Sequence, residues 1–189
     1  MVAICDHRSL VNTWDGREHA ESLRQWPTLA AIALQAENHA SVDALLALGS
    51  LARGSADEAS DLDLVVLVSQ GRFDRVWADR DAFVPPRTFA RWDQTDDVGQ
   101  DEGVRKFITR DVVKVELVFT TGESFALAEP YAVLVGDPSV AGRFSLRPPI
   151  TDEELKAYAH GRIASGAVPE VEIRYGELMR ALRGELERE

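Results

Sequence analysis

Leu48-Gly49-Ser50-Leu51-Ala52-Arg53-Gly54-Ser55-Ala56-Asp57-Glu58-Ala59-Ser60-Asp61-Leu62-Asp63-Leu64 is the stretch from which this chain is read. It leaves one apolar run, residues 44–48, and enters a second, residues 64–68. In an extended backbone successive side chains alternate faces, so Asp61 and Asp63 share one face and Leu62 takes the other. Two carboxylates that close repel one another unless a cation lies between them. Hard oxygen donors in that arrangement suit Mg²⁺, which favours one or two protein carboxylates together with phosphate oxygens. The Gly49-Ser50 turn upstream adds backbone N–H groups and a hydroxyl, groups that receive phosphate. Metal-held phosphate chemistry is the expectation.

The order Gly-Ser-x-Ala-Arg-Gly followed by Ser-Asp-x-Asp-Leu resembles the signature of the DNA polymerase β-like nucleotidyltransferase superfamily. The match lies at Gly49, Ser50, Ala52, Arg53, Gly54, Ser60, Asp61, Asp63 and Leu64. The spacing is that of its small members, the aminoglycoside and lincosamide enzymes and the minimal nucleotidyltransferases. The resemblance covers about residues 40–120. The plain alternative is that Asp61 and Asp63 are solvated turn residues and Gly49-Ser50 an ordinary helix start.

That superfamily requires a third acid on a later strand. The best downstream strand is 112–119, Val-Val-Lys-Val-Glu-Leu-Val-Phe, β-branched and apolar with few breaks. A carboxylate inside such a run is costly to bury alone, so Glu116 sits on a solvated face or is held by a metal. Lys114, Glu116 and Val118 share one face and Val113, Val115, Leu117 and Phe119 the other. A plain alternative is an edge strand with a Lys114–Glu116 pair in water. The resemblance places Glu116 as the third acid, and in antibiotic-modifying relatives this residue can serve as general base.

The 189 residues carry 32 acidic and 21 basic side chains, a formal net charge of −11. A polynucleotide partner calls for a basic surface that releases counterions, so a long nucleic acid is disfavoured. A cationic small molecule is favoured. The acid-rich segment 93–102 is read either as lining for such a pocket or as a solvated loop. One cysteine, Cys5, and the lack of a long apolar leader point to a reducing cytoplasm. No stretch is apolar for the roughly 18–20 residues that cross a bilayer, and no Cys/His spacing suggests zinc.

Along the chain, helices are expected over 18–25 and 28–38, split by Pro27 with Thr28 as an N-cap. A strand is expected over 43–48, a short helix over 50–54, a strand over 61–68 and a helix over 73–81. An extended run at 106–112 should turn back as a hairpin into the strand that carries Glu116, beside the Asp61–Asp63 strand. Residues 124–128 read as helical and 131–135 as a strand. Residues 147–149 read as a linker. Thr151 opens a helix with Glu154 at the third position of a capping box, and 170–187 forms a last helix. The fold class is α/β (α+β): a nucleotidyltransferase domain over 1–146, with a mixed β-sheet flanked by helices, and a short helical segment over 150–189.

The resemblance implies transfer of a nucleoside monophosphate, AMP from ATP in the leading case, to a hydroxyl of a small aminoglycoside-like acceptor. Asp61, Asp63 and Glu116 would be the catalytic and metal-binding residues for two Mg²⁺. Gly49, Ser50, Arg53 and Ser60 would bind the nucleotide. Arg53 is read as a phosphate clamp or as pairing with Asp57 or Glu58. The alternatives are a protein-AMPylating minimal enzyme of antitoxin type and a catalytically silent nucleotide-binding module. With only some 40 residues after the linker, a second copy of the chain or a helical partner is expected to complete the acceptor pocket.

Overall fold

The structure, a computed structural model, describes residues 17–94, 99–149 and 151–186. The chain divides into two compact units at Arg147/Pro148. The first is built on a six-stranded sheet in the order β3-β4-β5-β2-β1-β7. Its strands are β1 (Val42–Ala47), β2 (Leu62–Val68), β3 (Thr88–Gln94), β4 (Glu102–Thr109), β5 (Lys114–Thr120) and β7 (Ala132–Val135). All neighbours run antiparallel except β2 and β5, which are parallel. The β-branched and leucine-rich sequences of β1, β2 and β5 suit central positions, and all three lie inside the sheet.

Period-2 alternation divides the sheet into two faces. On one, Leu62, Leu64, Val66, Val115, Leu117 and Phe119 are buried under Leu29, Ile32, Val76 and Phe83. Those covering residues come from α2 (Trp26–Asn38), α4 (Phe73–Ala78) and a 3₁₀ turn, Arg80–Phe83. Phe83 meets Phe119 edge-on with ring centroids 5.3 Å apart. On the other face, Ala44, Leu46, Val65 and Leu67 pack with Leu127 and Phe144. Leu127 belongs to β6 (Ala126–Ala128), which pairs in parallel with β8 (Ser145–Arg147). This small sheet leaves Asp61, Asp63, Glu116 and Lys114 half-exposed.

Several expectations are corrected here. Pro27 starts α2 rather than splitting a helix, because the first turn needs no N–H from it; Thr28 is therefore buried inside the helix. Residues 126–128 form a strand where a helix is expected, because β8, distant in sequence, supplies their hydrogen-bond partners. β3 was not anticipated; it pairs along β4, which is longer than the run 106–112 suggests. Val112 takes a φ of 59° in the turn between β4 and β5, so the strand bearing Glu116 starts at Lys114. β5 is interior, which removes the edge-strand reading.

The second unit contains α5 (Asp152–Ala164) and α6 (Glu170–Leu186). The capping box is present: the Glu154 N–H donates to Thr151 Oγ1 at 3.2 Å, and the Thr151 N–H donates to Glu154 Oε2 at 2.8 Å. Among the described residues no helix is long and apolar enough to cross a membrane.

Candidate active site

The site begins where β1 ends. The Leu48 N–H donates to the Asp63 carbonyl at 2.9 Å, which ties the end of β1 to the start of β2. Gly49 follows with a φ of +61°, and a Cβ there would lie 2.8 Å from Asp63 Oδ2. Only glycine combines that backbone with that approach. Gly49 and Ser50 open a single helical turn, α3 (Gly49–Ala52), and both are half-buried, with Gly49 against the Asp63 carboxylate.

Across the sheet, Asp63 is in register with Glu116 on β5, and Glu116 with Lys106 on β4. Alternation puts Asp61 and Lys114 on the same face. Lys106, with only 4% of its side chain exposed, holds Glu116 Oε2 at 2.7 Å. Lys114 holds Asp61 Oδ2 at 3.1 Å. Asp63 lies between these pairs. Burial first, then the charges of Glu116 and Asp61, push its carboxyl up to about 7, against the pull of Lys114 and Lys106. The sequence thus places three acids on two adjacent strands, and the fold adds two ammonium groups. Lys106 was missed: four positions before the β4–β5 turn, it reads as one more charge in a hairpin, and only cross-strand register reveals its partner.

The loop between α3 and β2 is held from outside. Ser60, 5% exposed, donates its hydroxyl to Asp57 Oδ1 at 2.7 Å and accepts the Asp57 N–H at 2.9 Å. Its hydroxyl is thus engaged within the loop. Gln25 Nε2 donates to the carbonyls of Asp57 (2.7 Å) and Ser60 (2.9 Å), and His19 Nε2 bonds the Ala56 carbonyl at 2.6 Å. These two residues flank the junction of α1 (Arg17–Ser22) and α2, and neither was anticipated. Glu58 lies 3.7 Å from Arg24, while Arg53 is exposed at the C-terminus of α3. The expected pairing of Arg53 with Asp57 or Glu58 gives way to these contacts.

Asp93 stands on the opposite face from Glu116 and is ion-paired with Arg80 at 2.9 Å and Arg105 at 3.2 Å. Asp96 and Asp97 lie outside the described residues.

The pattern of a nucleotidyltransferase domain matches residues 31–129. The chain belongs to the nucleotidyltransferase domain family. The match spans β1, the Gly49-Ser50 turn, all three acids and both lysines; Gln25 and His19 precede it. Among solved structures, the Cid1 poly(U) polymerase with Mg and 3'-dATP bound is similar at 18% identity and a TM-score of 0.42. That likeness covers 59% of this chain and 32% of the polymerase, so the chain spans about a third of that protein's length. No curated protein matches the chain.

The donor set of this domain fits a hard divalent cation in kind: three carboxylates on one face, one of them short of positive charge. The oxygens are not gathered, however. Among the described residues no three His, Cys, Asp or Glu side chains converge closely enough to hold a metal ion. Two of the three acids are instead engaged by lysine.

Proposed function

We propose that this chain is a metal-dependent nucleotidyltransferase that moves AMP from ATP to a hydroxyl of a small cationic acceptor of the aminoglycoside kind. The observation that carries the reading is the register of Asp63 with Glu116 on adjacent parallel strands, beside the Gly49-Ser50 turn. In this reading Asp61 and Asp63 hold the divalent cations, two Mg²⁺, with Glu116 as third ligand. Cations held there would supply neutralisation of the charge on the entering and leaving oxygens.

The chain's own groups do the rest. The Gly49 and Ser50 N–H groups and the Ser50 hydroxyl face the triphosphate, and Arg53, exposed one turn further on, reaches its outer phosphates. The acceptor oxygen attacks the α-phosphorus while its proton passes to the Glu116 carboxylate. The bond from the α-phosphorus to the bridging oxygen breaks, and pyrophosphate leaves with the electron pair. Ser60 serves by fixing the loop that delivers Asp61. The excess of acidic side chains, net −11, favours a cationic acceptor.

The test uses labelled ATP and Mg²⁺, with pooled aminoglycosides and lincosamides in one reaction and cell lysate in another. Label on a small molecule that disappears in Asp61→Asn and Asp63→Asn is the expected result. The variants should retain the native circular dichroism spectrum and lose at least about a thousandfold in rate, as expected when the groups that stabilise transition-state charge are removed. Label on a discrete protein band would move the acceptor to a protein side chain. Full activity in the double variant would overturn the mechanism.

A further inference from the structure

We propose that Trp92 marks the acceptor subsite: its indole N–H donates to a hydroxyl or ether oxygen of a polyhydroxylated amino sugar that lies across β4 and β3 with its reacting hydroxyl at Glu116. The proposal rests on the reading of the Gly49-Ser50 turn as the phosphate side of the site and of Glu116 as the group that takes the acceptor's proton.

Register carries the placement. Asp63 stands opposite Glu116, Glu116 opposite Lys106, and Lys106 opposite Trp92. Four neighbouring strands thus present one row of side chains to the same face. Gly49 adjoins Asp63 from the β1 side. An in-line displacement sets the entering oxygen opposite the leaving pyrophosphate. With the phosphates held on the β1 side, the entering hydroxyl comes from the other side of Asp63, past Glu116, where Lys106 and Trp92 continue the row. An acceptor that meets both Glu116 and Trp92 bridges two strand spacings, roughly 10 Å between backbones, as a molecule of several linked rings does.

The chemistry of the indole carries the contact. The Trp92 ring nitrogen is shielded from solvent and has no hydrogen-bond partner among the described residues. Its cross-strand neighbour cannot supply one, since an ammonium only donates, and the Lys106 ammonium holds Glu116 Oε2 at 2.7 Å. The next carboxylate along β3, that of Asp93, is on the opposite face with Arg80 and Arg105. A shielded indole N–H ordinarily finds an acceptor, and leaving it bare opposes folding. A ligand oxygen removes that cost. Trp92 as a whole is half-buried, and an aromatic ring beside the bond offers amino-sugar ammonium groups a cation–π contact.

The experiment follows the indole N–H itself. Proton–nitrogen correlation spectra of the ¹⁵N-labelled full chain, which has four tryptophans, are recorded while kanamycin or streptomycin is added. A parallel titration uses Mg²⁺ with a non-hydrolysable ATP analogue. The Trp92 indole resonance, identified by its loss in Trp92→Phe, should move downfield and saturate with at least one amino sugar, as a hydrogen bond is gained. Trp92→Phe keeps an aromatic ring without the donor. It should bind that amino sugar about three- to tenfold more weakly, with unchanged affinity for the ATP analogue. If the variant does not fold, backbone and side-chain assignment of the wild-type chain identifies the resonance, and its shift decides the matter. An indole resonance indifferent to both amino sugars overturns the proposal, as does a folded Trp92→Phe that binds them like wild type. The ATP analogue separates the two levels. If it moves the Gly49 and Ser50 amide resonances while Trp92 ignores the amino sugars, only the Trp92 subsite fails. If Gly49 and Ser50 stay in place, the site reading fails and the subsite with it.

Discussion

Asp63 illustrates how one side chain can record the demand of a whole site. Its carboxyl ionises near 3.8 in the unfolded chain and near 7 in the fold, because burial and then Glu116 and Asp61 oppose its charge. Between those values the folded chain holds a proton that the unfolded chain has released, so this group's contribution to stability falls as pH rises through the window. Below about 3.8 it contributes no difference, and above about 7 the full penalty stands. Asp63→Asn should therefore match wild type near pH 4 and exceed it near pH 8, by on the order of 1–2 kcal/mol once screening at a half-buried site is allowed for. Thermal melts of the metal-free protein across that range measure it, and saturating Mg²⁺ should narrow the gap by binding the ionised form. Equal melting profiles across the range would show that the shift does not govern stability.

The elements divide according to where their hydrogen-bond partners come from. β1, β2 and the α5 cap declare themselves in local sequence: two apolar runs, and a Thr-x-x-Glu box whose two bonds form within four residues. β3, β6 and β8 depend on partners elsewhere in the chain, and their own sequences carry little alternation. The α1–α2 junction belongs to the second kind. Gln25 is 3% exposed and spans to two loop carbonyls through one amide nitrogen. Gln25→Ala takes its donor from the buried Ser60 carbonyl and one of two donors from the Asp57 carbonyl, and should destabilise the fold by about 1–3 kcal/mol in urea titration. Because that loop leads directly into Asp61, kcat should fall more than KM for ATP rises. A stability loss with kcat and KM both untouched would make Gln25 a purely structural residue.

At the scale of the whole molecule, net charge bears on which acceptor the proposed reaction would take. A net charge of −11, with Arg80, Arg105 and Arg143 each held in an ion pair, disfavours a phosphate backbone in the proposed reading. A fluorescent duplex at about 150 mM salt, where non-specific binders reach Kd values of roughly 10⁻⁴–10⁻⁶ M, should show no saturation at micromolar protein. Tight, salt-sensitive binding would redirect the search for the acceptor to polynucleotides. The two compact units, meeting at Arg147/Pro148, put the nucleotidyltransferase match and all three acids in the first.

The sequence by itself determined the chemistry's vocabulary. Gly49-Ser50, Asp61-x-Asp63 and a lone acid within a β-branched run are local statements, since glycine's positive φ and period-2 alternation need no distant partner. Tertiary structure decided the grammar: that β5 lies parallel beside β2, that Glu116 stands level with Asp63, and that Lys106 reaches across from β4. It also turned Ser60 inward to Asp57 and Asp93 to the far face of the sheet. Cross-strand register joins Asp63 to Glu116 and Asp61 to Lys114 from distant parts of the chain, and even Lys106 and Glu116, within one hairpin, meet only through the pairing of β4 with β5. Sequence spacing alone fixes neither pairing, and the ammonium that answers a carboxylate becomes visible only once the sheet has closed.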